Sequence, residues 1–458
     1  MITDTMDGDQ LYKNQTRHSQ LFMEKASTVM PGGVTANIKY FQPNPIVMQK
    51  ANGAYLYDVD GNEYIDYLLS YGALMLGHGN KTIKEAIFEQ MNNDGTLLFG
   101  TPHRHEIEMA HRIQSLYPSM KKLRYTNSGT EATLLALRLA KAYTQKDGLA
   151  KFEGHYHGGY DEVLVSVNPS LNQAGPKEEP YSVLESKGMA SSHTQKTVIL
   201  PFNDLENCEK ILRKKQKDIG ALIIEPLQGG FIRAEQPFIE GLRKLTKELG
   251  IVFIFDEVKT GFRVALGGAQ ELYGIEPDLT ALGKVIGGGF PVGIVGGLDD
   301  IMDLSAPRQS ADVFDPSQSQ KSDAADVLFH SGTYNGHPTI LAAGLATMDV
   351  LTKESSNVFE LTNELKEQLT HLFKTKSIAM KAVGEGSIFN IVLTNKKKIL
   401  DYRELQSSDL YMRRKIDLRL MTEGIYTKPL NRYSLSTAHT EKEVEKTIAA
   451  FERVLDGL

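Results

Sequence analysis

Hydrophobic and polar positions follow two rhythms along the chain. Near the N-terminus, Ala54-Tyr55-Leu56-Tyr57-Asp58-Val59 and Tyr64-Ile65-Asp66-Tyr67 alternate on either side of Asp60-Gly61. Alternation around Asp-Gly predicts a β-hairpin. From Gly79 onward, short apolar runs take over, at 123–126, 149–152, 163–167, 198–201, 221–225, 252–256, 279–282 and 292–296. Several are apolar throughout, as strands are when both sheet faces are covered. Helical periodicity lies between them, for example over 134–142 and 238–249. Strand alternating with helix predicts an α/β fold around an open, mostly parallel sheet.

Two polar segments interrupt the pattern. Residues 168–197 and 305–325 are rich in Ser, Pro, Gly, Gln and charge, and are predicted to be long surface loops. The first twenty residues read as a flexible arm or helix. Residues 21–75 and 339–458 together predict a smaller α+β domain, and 76–338 the large one.

Composition narrows the class. Of 458 residues, 41% are apolar and 24% charged, which excludes a disordered or fibrous chain. Cys208 is the only cysteine, so no disulfide forms within the chain, and a reducing cytoplasm is the expected compartment. The formal charge of −6 argues against general nucleic-acid binding, which needs a basic face. No run reaches the roughly 18 apolar residues of a membrane span. The polar stretch 1–20 lacks the apolar region of a signal peptide.

Four constellations carry candidate chemistry. Asn127-Ser128-Gly129-Thr130-Glu131-Ala132 follows a predicted strand and opens a helix. Helix-terminal amides with Ser and Thr hydroxyls suit a phosphate, although an ordinary Ser cap has the same pattern. Phe253-Ile254-Phe255-Asp256-Glu257-Val258 delivers two carboxylates at a strand's carboxyl end, where α/β crevices lie. They could meet a metal, a ribose or a protonated ring nitrogen, or simply cap a helix. Leu282-Gly283-Lys284-Val285-Ile286-Gly287-Gly288-Gly289 places a lysine inside a glycine-rich turn. A desolvated lysine can form a Schiff base, whereas a solvated loop lysine does nothing. Gly154-His155-Tyr156-His157-Gly158-Gly159 offers an aromatic ring for stacking. No further ligand stands at metal spacing, so no metal is expected. A phosphate cup, a strand-end acid and a flanked lysine are what pyridoxal phosphate requires.

With these strings the chain resembles the class III (subgroup III) aminotransferases of pyridoxal phosphate fold type I. Within that family it is most similar to glutamate-1-semialdehyde 2,1-aminomutases and to the aminotransferase domains of iturin-type lipopeptide synthetases. Further matching strings are Pro31-Gly32-Gly33-Val34, Thr260-Gly261-Phe262-Arg263, Glu225-Pro226-Leu227-Gln228-Gly229 and Ala438-His439-Thr440. The resemblance implies a large domain with about seven strands and a smaller α+β domain. It implies that Lys284 holds pyridoxal 5'-phosphate and moves the proton, while Asp256 pairs with the pyridinium nitrogen. Ser128, Gly129 and Thr130 would take the phosphate. Tyr156 would stack on one ring face and Val258 press on the other. Glu225 belongs to the cofactor loop, and Gln228 would donate to the cofactor's 3′ oxygen. Thr333 would reach the neighbouring subunit's phosphate, which implies a homodimer with shared active sites.

Departures gather on the substrate side. The aminomutase run Asn-Ser-Pro-Val-Arg is here Thr35-Ala36-Asn37-Ile38-Lys39, and a lysine lacks the bidentate fork of arginine. Tyr71 replaces a tryptophan, Gly230 an asparagine, and Asn431 stands near a lost glutamate. The expected function is therefore amino transfer from Gln or Glu to a keto group, with a carrier-bound β-ketoacyl thioester as the leading acceptor. The alternatives are an ω- or β-amino-acid aminotransferase on free keto acids, with the carboxylate at Lys39 or Arg432, aminomutase chemistry, or racemisation.

Overall fold

The computed structural model describes residues 8–307 and 328–458. The chain forms two compact units. One comprises 1–81, 353–399 and 404–458, and the other 82–352 and 400–403. Against the divisions expected at 75/76 and 338/339, the first falls six residues later and the second fourteen residues later. The second lies inside one continuous helix, Pro338–Thr375, which no turn interrupts.

The larger unit is built on a seven-stranded sheet. Its strands are β1 (Lys122–Thr126), β2 (Gly148–Phe152), β3 (Thr197–Leu200), β4 (Ile219–Ile224), β5 (Val252–Asp256), β6 (Leu279–Gly283) and β7 (Gly293–Gly297). The spatial order is β1-β7-β6-β5-β4-β2-β3. Strand β7 runs antiparallel to both neighbours, and the remaining pairs are parallel. Every residue of β2, β4, β5 and β6 is buried, which is why these strands read as apolar runs. The helix Gly129–Thr144 lays Leu135, Ala136, Leu139 and Ala140 against Ile223, Ile254 and Val295. That i, i+4 stripe is what its sequence periodicity predicts. Each such Leu or Ile contributes about 1.5–3 kcal/mol on burial.

The strand expected at 163–167 does not form. Val165 makes only an isolated bridge to Leu184, and Ser166 takes a positive φ of 49° that no regular strand accommodates. Val163 and Val165 are fully buried, and Val163 joins the core cluster of Leu135, Leu149 and Ile223, so burial rather than sheet pairing accounts for their apolar character. The long loop over 168–197 contains a single short helix, His193–Lys196. The loop expected at 305–325 lies outside the described residues from 308 onward.

In the smaller unit the hairpin forms as read. Tyr55–Asp58 pairs antiparallel with Glu63–Asp66 in the register Leu56↔Tyr64. Asp58 Oδ1 accepts from the amides of Asp60 and Asn62 at 2.9 and 2.8 Å, closing the turn at Gly61, whose φ is 91°. The C-terminal strand Ile425–Tyr426 adds in parallel, so distant chain segments share one sheet. The expected flexible arm is a correction. Residues Gly8–Gln15 and Arg17–Ser27 are helical, because Tyr12 is an interior residue packed with Phe41 and Ile46. Residues 1–7 lie outside the described chain. Among the described residues, no helix is long and apolar enough to cross a membrane.

Candidate active site

All four constellations emerge at one edge of the larger unit's sheet, because parallel strands share a carboxyl end. Ser128 follows β1, the segment Glu153 to His157 follows β2, Glu225 follows β4, Asp256 ends β5 and Lys284 follows β6. Ser128 caps the helix Gly129–Thr144. Its Oγ accepts the Glu131 amide at 3.1 Å and its carbonyl the Ala132 amide at 3.0 Å. The amides of Gly129 and Thr130 precede any intrahelical acceptor, so they form an anion-binding end. A Cβ on Gly129 would fall 2.6 Å from Val258 Cγ1, and one on Gly283 would fall 3.4 Å from Gly129 Cα. The phosphate cup, the loop after Asp256 and the turn before Lys284 are therefore in mutual contact. Lys284 adopts a φ of 50°, a left-handed backbone that costs a non-glycine residue about 1–3 kcal/mol and clusters at active sites. The buried Val285 and Ile286 hold it there.

Asp256 accepts a 2.8 Å hydrogen bond from His157 Nδ1 at Oδ2 and one of 3.1 Å from the Val258 amide at Oδ1. A carboxylate can only accept, so Nδ1 carries the proton. Burial lowers the His157 pKa, even though Asp256 opposes the shift. Each oxygen of Asp256 keeps lone-pair capacity for a further N–H. Its neighbour Glu257 has a different task. It is fully buried and accepts from Thr260 Oγ1 at 2.5 Å and from the amides of Ala269 and Gln270 at 2.8 and 3.0 Å. Burial pushes its pKa up to about 7, against those hydrogen bonds. Of the two carboxylates, Glu257 secures the helix Gly268–Tyr273 and Asp256 remains at the site.

A second buried group underlies Tyr156. Glu225 Oε2 accepts the Tyr156 amide at 2.9 Å, and Oε1 is ion-paired with Lys259. Burial alone would raise the Glu225 pKa, but the Lys259 ammonium and the two histidines outweigh it and hold it at about 2. Lys259 Nζ also lies 5.5 Å from the Tyr156 ring centroid, within cation–π range. The Tyr156 hydroxyl meets the Thr130 side chain. His155 Nδ1 accepts the Glu225 amide at 3.1 Å. Lys151, inside β2, donates to the carbonyls of His155 and Val165 at 2.9 and 2.6 Å. Arg403 clamps Glu153 with a fork of 2.7 and 2.8 Å. Among the described residues, no group of three His, Cys, Asp or Glu is arranged for a metal ion.

Some expected residues sit differently. Gln228 Nε2 donates to the Glu153 carbonyl at 3.1 Å, and its Oε1 is buried without a partner. An amide nitrogen carries two N–H groups, so this single bond leaves Gln228 a donor as well as the Oε1 acceptor. Thr333 is exposed in the single chain. In the smaller unit, Arg432 Nη2 donates to the Tyr71 carbonyl at 2.9 Å, and Tyr71 Oη donates to the Ile38 carbonyl at 2.8 Å. Lys428 also donates to Ile38 O, so it joins Tyr71 and Arg432. Lys39 does not join them. It is exposed and donates to Thr35 in its own turn at 2.8 Å. Asn431 Oδ1 accepts from the Arg432 amide at 2.9 Å, which stiffens that loop. Sequence reasoning passed over Lys259, Lys428 and Lys151. For Lys151 there was a signal, a charge in the middle of the apolar run Leu149-Ala150-Lys151-Phe152.

Residues 38–454 match the family model of the class-III aminotransferases. The chain belongs to the class III aminotransferases. A glutamate-1-semialdehyde 2,1-aminomutase of Thermodesulfovibrio yellowstonii is 38% identical over 453 residues, covering 97% of this chain and 100% of the relative. An omega-transaminase from Sphaerobacter thermophilus is 34% identical, with a TM-score of 0.85 over 96% of this chain and 97% of that one. A transaminase solved with PLP bound is 30% identical, with a TM-score of 0.84 over 96% and 97%. This class III aminotransferase is thus a pyridoxal-phosphate enzyme of fold type I. The residues present fit that cofactor. A helix-terminal cup, glycines whose Cβ positions are already filled by neighbours, a strand-end carboxylate and the unpartnered Gln228 Oε1 converge at one sheet edge.

Proposed function

We propose that this class III aminotransferase moves an amino group between an amino acid donor, Gln or Glu, and a free keto or aldehyde compound of the ω type. The observation that carries the reading is the convergence of Ser128–Thr130, Asp256 and Lys284 on one sheet edge beside Gly129, Val258 and Gly283. The 34% identity to an omega-transaminase over nearly the whole chain supports the substrate class. A carrier-bound acceptor was the leading expectation from the loss of the arginine fork, but the relatives named above give it no support. They favour the free-substrate alternative. Two cations, Lys428 and Arg432, flank Tyr71 and would suit a substrate carboxylate without an arginine at position 39.

When bound, pyridoxal phosphate supplies an electron sink that stabilises a carbanion at the carbon carrying the nitrogen. The chain's residues do the rest. Lys284 Nζ would hold the cofactor covalently and act as the base that takes and returns the substrate proton, a role worth about 10²–10⁴-fold. Asp256, oriented by His157, would hold a proton on the ring nitrogen. The amides of Gly129 and Thr130 with the hydroxyls of Ser128 and Thr130 would bind the phosphate. Tyr156 and Val258 would flank the ring and exclude water. A second copy of the chain would bring its own Thr333 to this phosphate. Support for that homodimer is the exposure of Thr333 together with Tyr334 and Phe99 in the single chain.

The aminomutase reading has its own support in the 38% identity to full-length aminomutases. One experiment separates the readings. The loaded protein is given Gln, Glu and ω-amino acids one at a time, and the cofactor absorbance is followed. Free keto acids, carrier-bound β-keto chains and glutamate-1-semialdehyde are then offered in turn. Transamination predicts donor-dependent turnover of free keto compounds. Isomerisation of glutamate-1-semialdehyde without any donor would overturn it, and so would turnover confined to carrier-bound chains.

A further inference from the structure

Tyr156 is fixed at three points in the described chain. Its amide is held by Glu225 Oε2 at 2.9 Å, its ring face lies 5.5 Å from Lys259 Nζ, and its hydroxyl meets Thr130. Two of these restraints depend on one side chain. Lys259 is ion-paired with the other oxygen of Glu225, and both partners are largely withdrawn from solvent, with side chains 14% and 2% exposed. Their shielding from water makes the pair geometrically demanding, because a buried carboxylate deprived of its cation is strongly penalised. Lys259 does not reach Tyr156 through packing alone. It sets the charge of the group that holds the backbone, and it presents a cation to the ring quadrupole.

We propose that Lys259 is a positioning residue that, through Glu225 and the ring face, holds Tyr156 in the orientation from which it covers the cofactor ring. The inference rests on the reading that Tyr156 stacks on pyridoxal phosphate. Losing Lys259 releases the ring and leaves Glu225 unpaired, so the cofactor is held more loosely. Arginine should substitute well, since a guanidinium can pair with a carboxylate and lie over an aromatic face at once.

The test measures pyridoxal phosphate affinity of the full chain by equilibrium dialysis, with melting of the apoprotein followed in parallel. Lys259→Met should weaken binding about tenfold, which corresponds to about 1.4 kcal/mol. Lys259→Arg should restore it to within a few fold. Lys259→Met with Glu225→Gln removes the buried unpaired charge and keeps an acceptor for the Tyr156 amide. That pair should recover melting but not affinity. In a Tyr156→Ala background, Lys259→Met should have no further effect on affinity, because the coupling runs through the ring. Undiminished affinity in Lys259→Met would overturn the proposal, as would an equal loss with and without Tyr156. If Tyr156→Ala itself binds the cofactor as tightly as the parent chain, the stacking reading fails first, and the two failures are told apart.

Discussion

Replacing Gly129 with alanine tests the contact that joins the phosphate cup to the Asp256 loop. The added Cβ would lie 2.6 Å from Val258 Cγ1 and 2.9 Å from Cγ2. Carbon atoms in contact prefer about 3.5–4.0 Å, so one group must retreat by about 1 Å. Val258 is poorly placed to yield, because its amide donates to Asp256 Oδ1 at 3.1 Å. Overpacking of this kind costs about 1–3 kcal/mol. Alanine recovers up to about 1 kcal/mol of helix propensity, less in a first turn. The expected net is a loss of about 1–2 kcal/mol in the apoprotein, with a weakening of pyridoxal phosphate binding of about tenfold. Thermal melting reads the first quantity and equilibrium dialysis the second. Adding Val258→Ala removes both clashing methyls and should return the melting temperature of the apoprotein. The reasoning is refuted if Gly129→Ala alone melts and binds like the parent, or if Val258→Ala fails to restore melting.

Three further outcomes are expected. Lys284→Ala should abolish covalent retention of the cofactor after borohydride reduction, read by intact mass, and a retained adduct would move the assignment to another lysine. Burial pushes Lys151 down to about 7, opposed by Glu225, so the folded chain sheds this proton while the unfolded lysine keeps it up to its ordinary value of 10.5. Stability of the parent relative to Lys151→Met should therefore rise from pH 7 to pH 10, and a flat or falling difference in melting temperature would contradict it. Arg403→Met leaves the Glu153 carboxylate, 6% exposed, without its fork and should destabilise the larger unit by about 3 kcal/mol, measured by denaturant unfolding.

The chain's own order of residues was enough to determine the architecture of the larger unit and to single out the candidate cofactor residues. Strands buried on both faces are apolar end to end, so β2 and β4 to β6 were legible, and the Asp-Gly turn marked its hairpin. Ser128, Asp256 and Lys284 were legible for a related reason. Each follows or ends a strand in a local pattern that chemistry constrains, and parallel topology then carries them to one edge. What the tertiary structure decided are the relations between residues far apart in sequence. Val163 and Val165 looked like a strand because burial, not pairing, selects valine. The residue pattern by itself did not tell Glu257 from Asp256; in the structure one meets the helix Gly268–Tyr273 and the other His157. Lys259 looked like any charged residue after a strand, and Lys39 like the heir of an arginine. Only folding could show that the first is closed against Glu225 while the second faces its own turn. Local periodicity records which face of an element is buried. The partner that each polar group finds there depends on which distant segment the fold brings alongside.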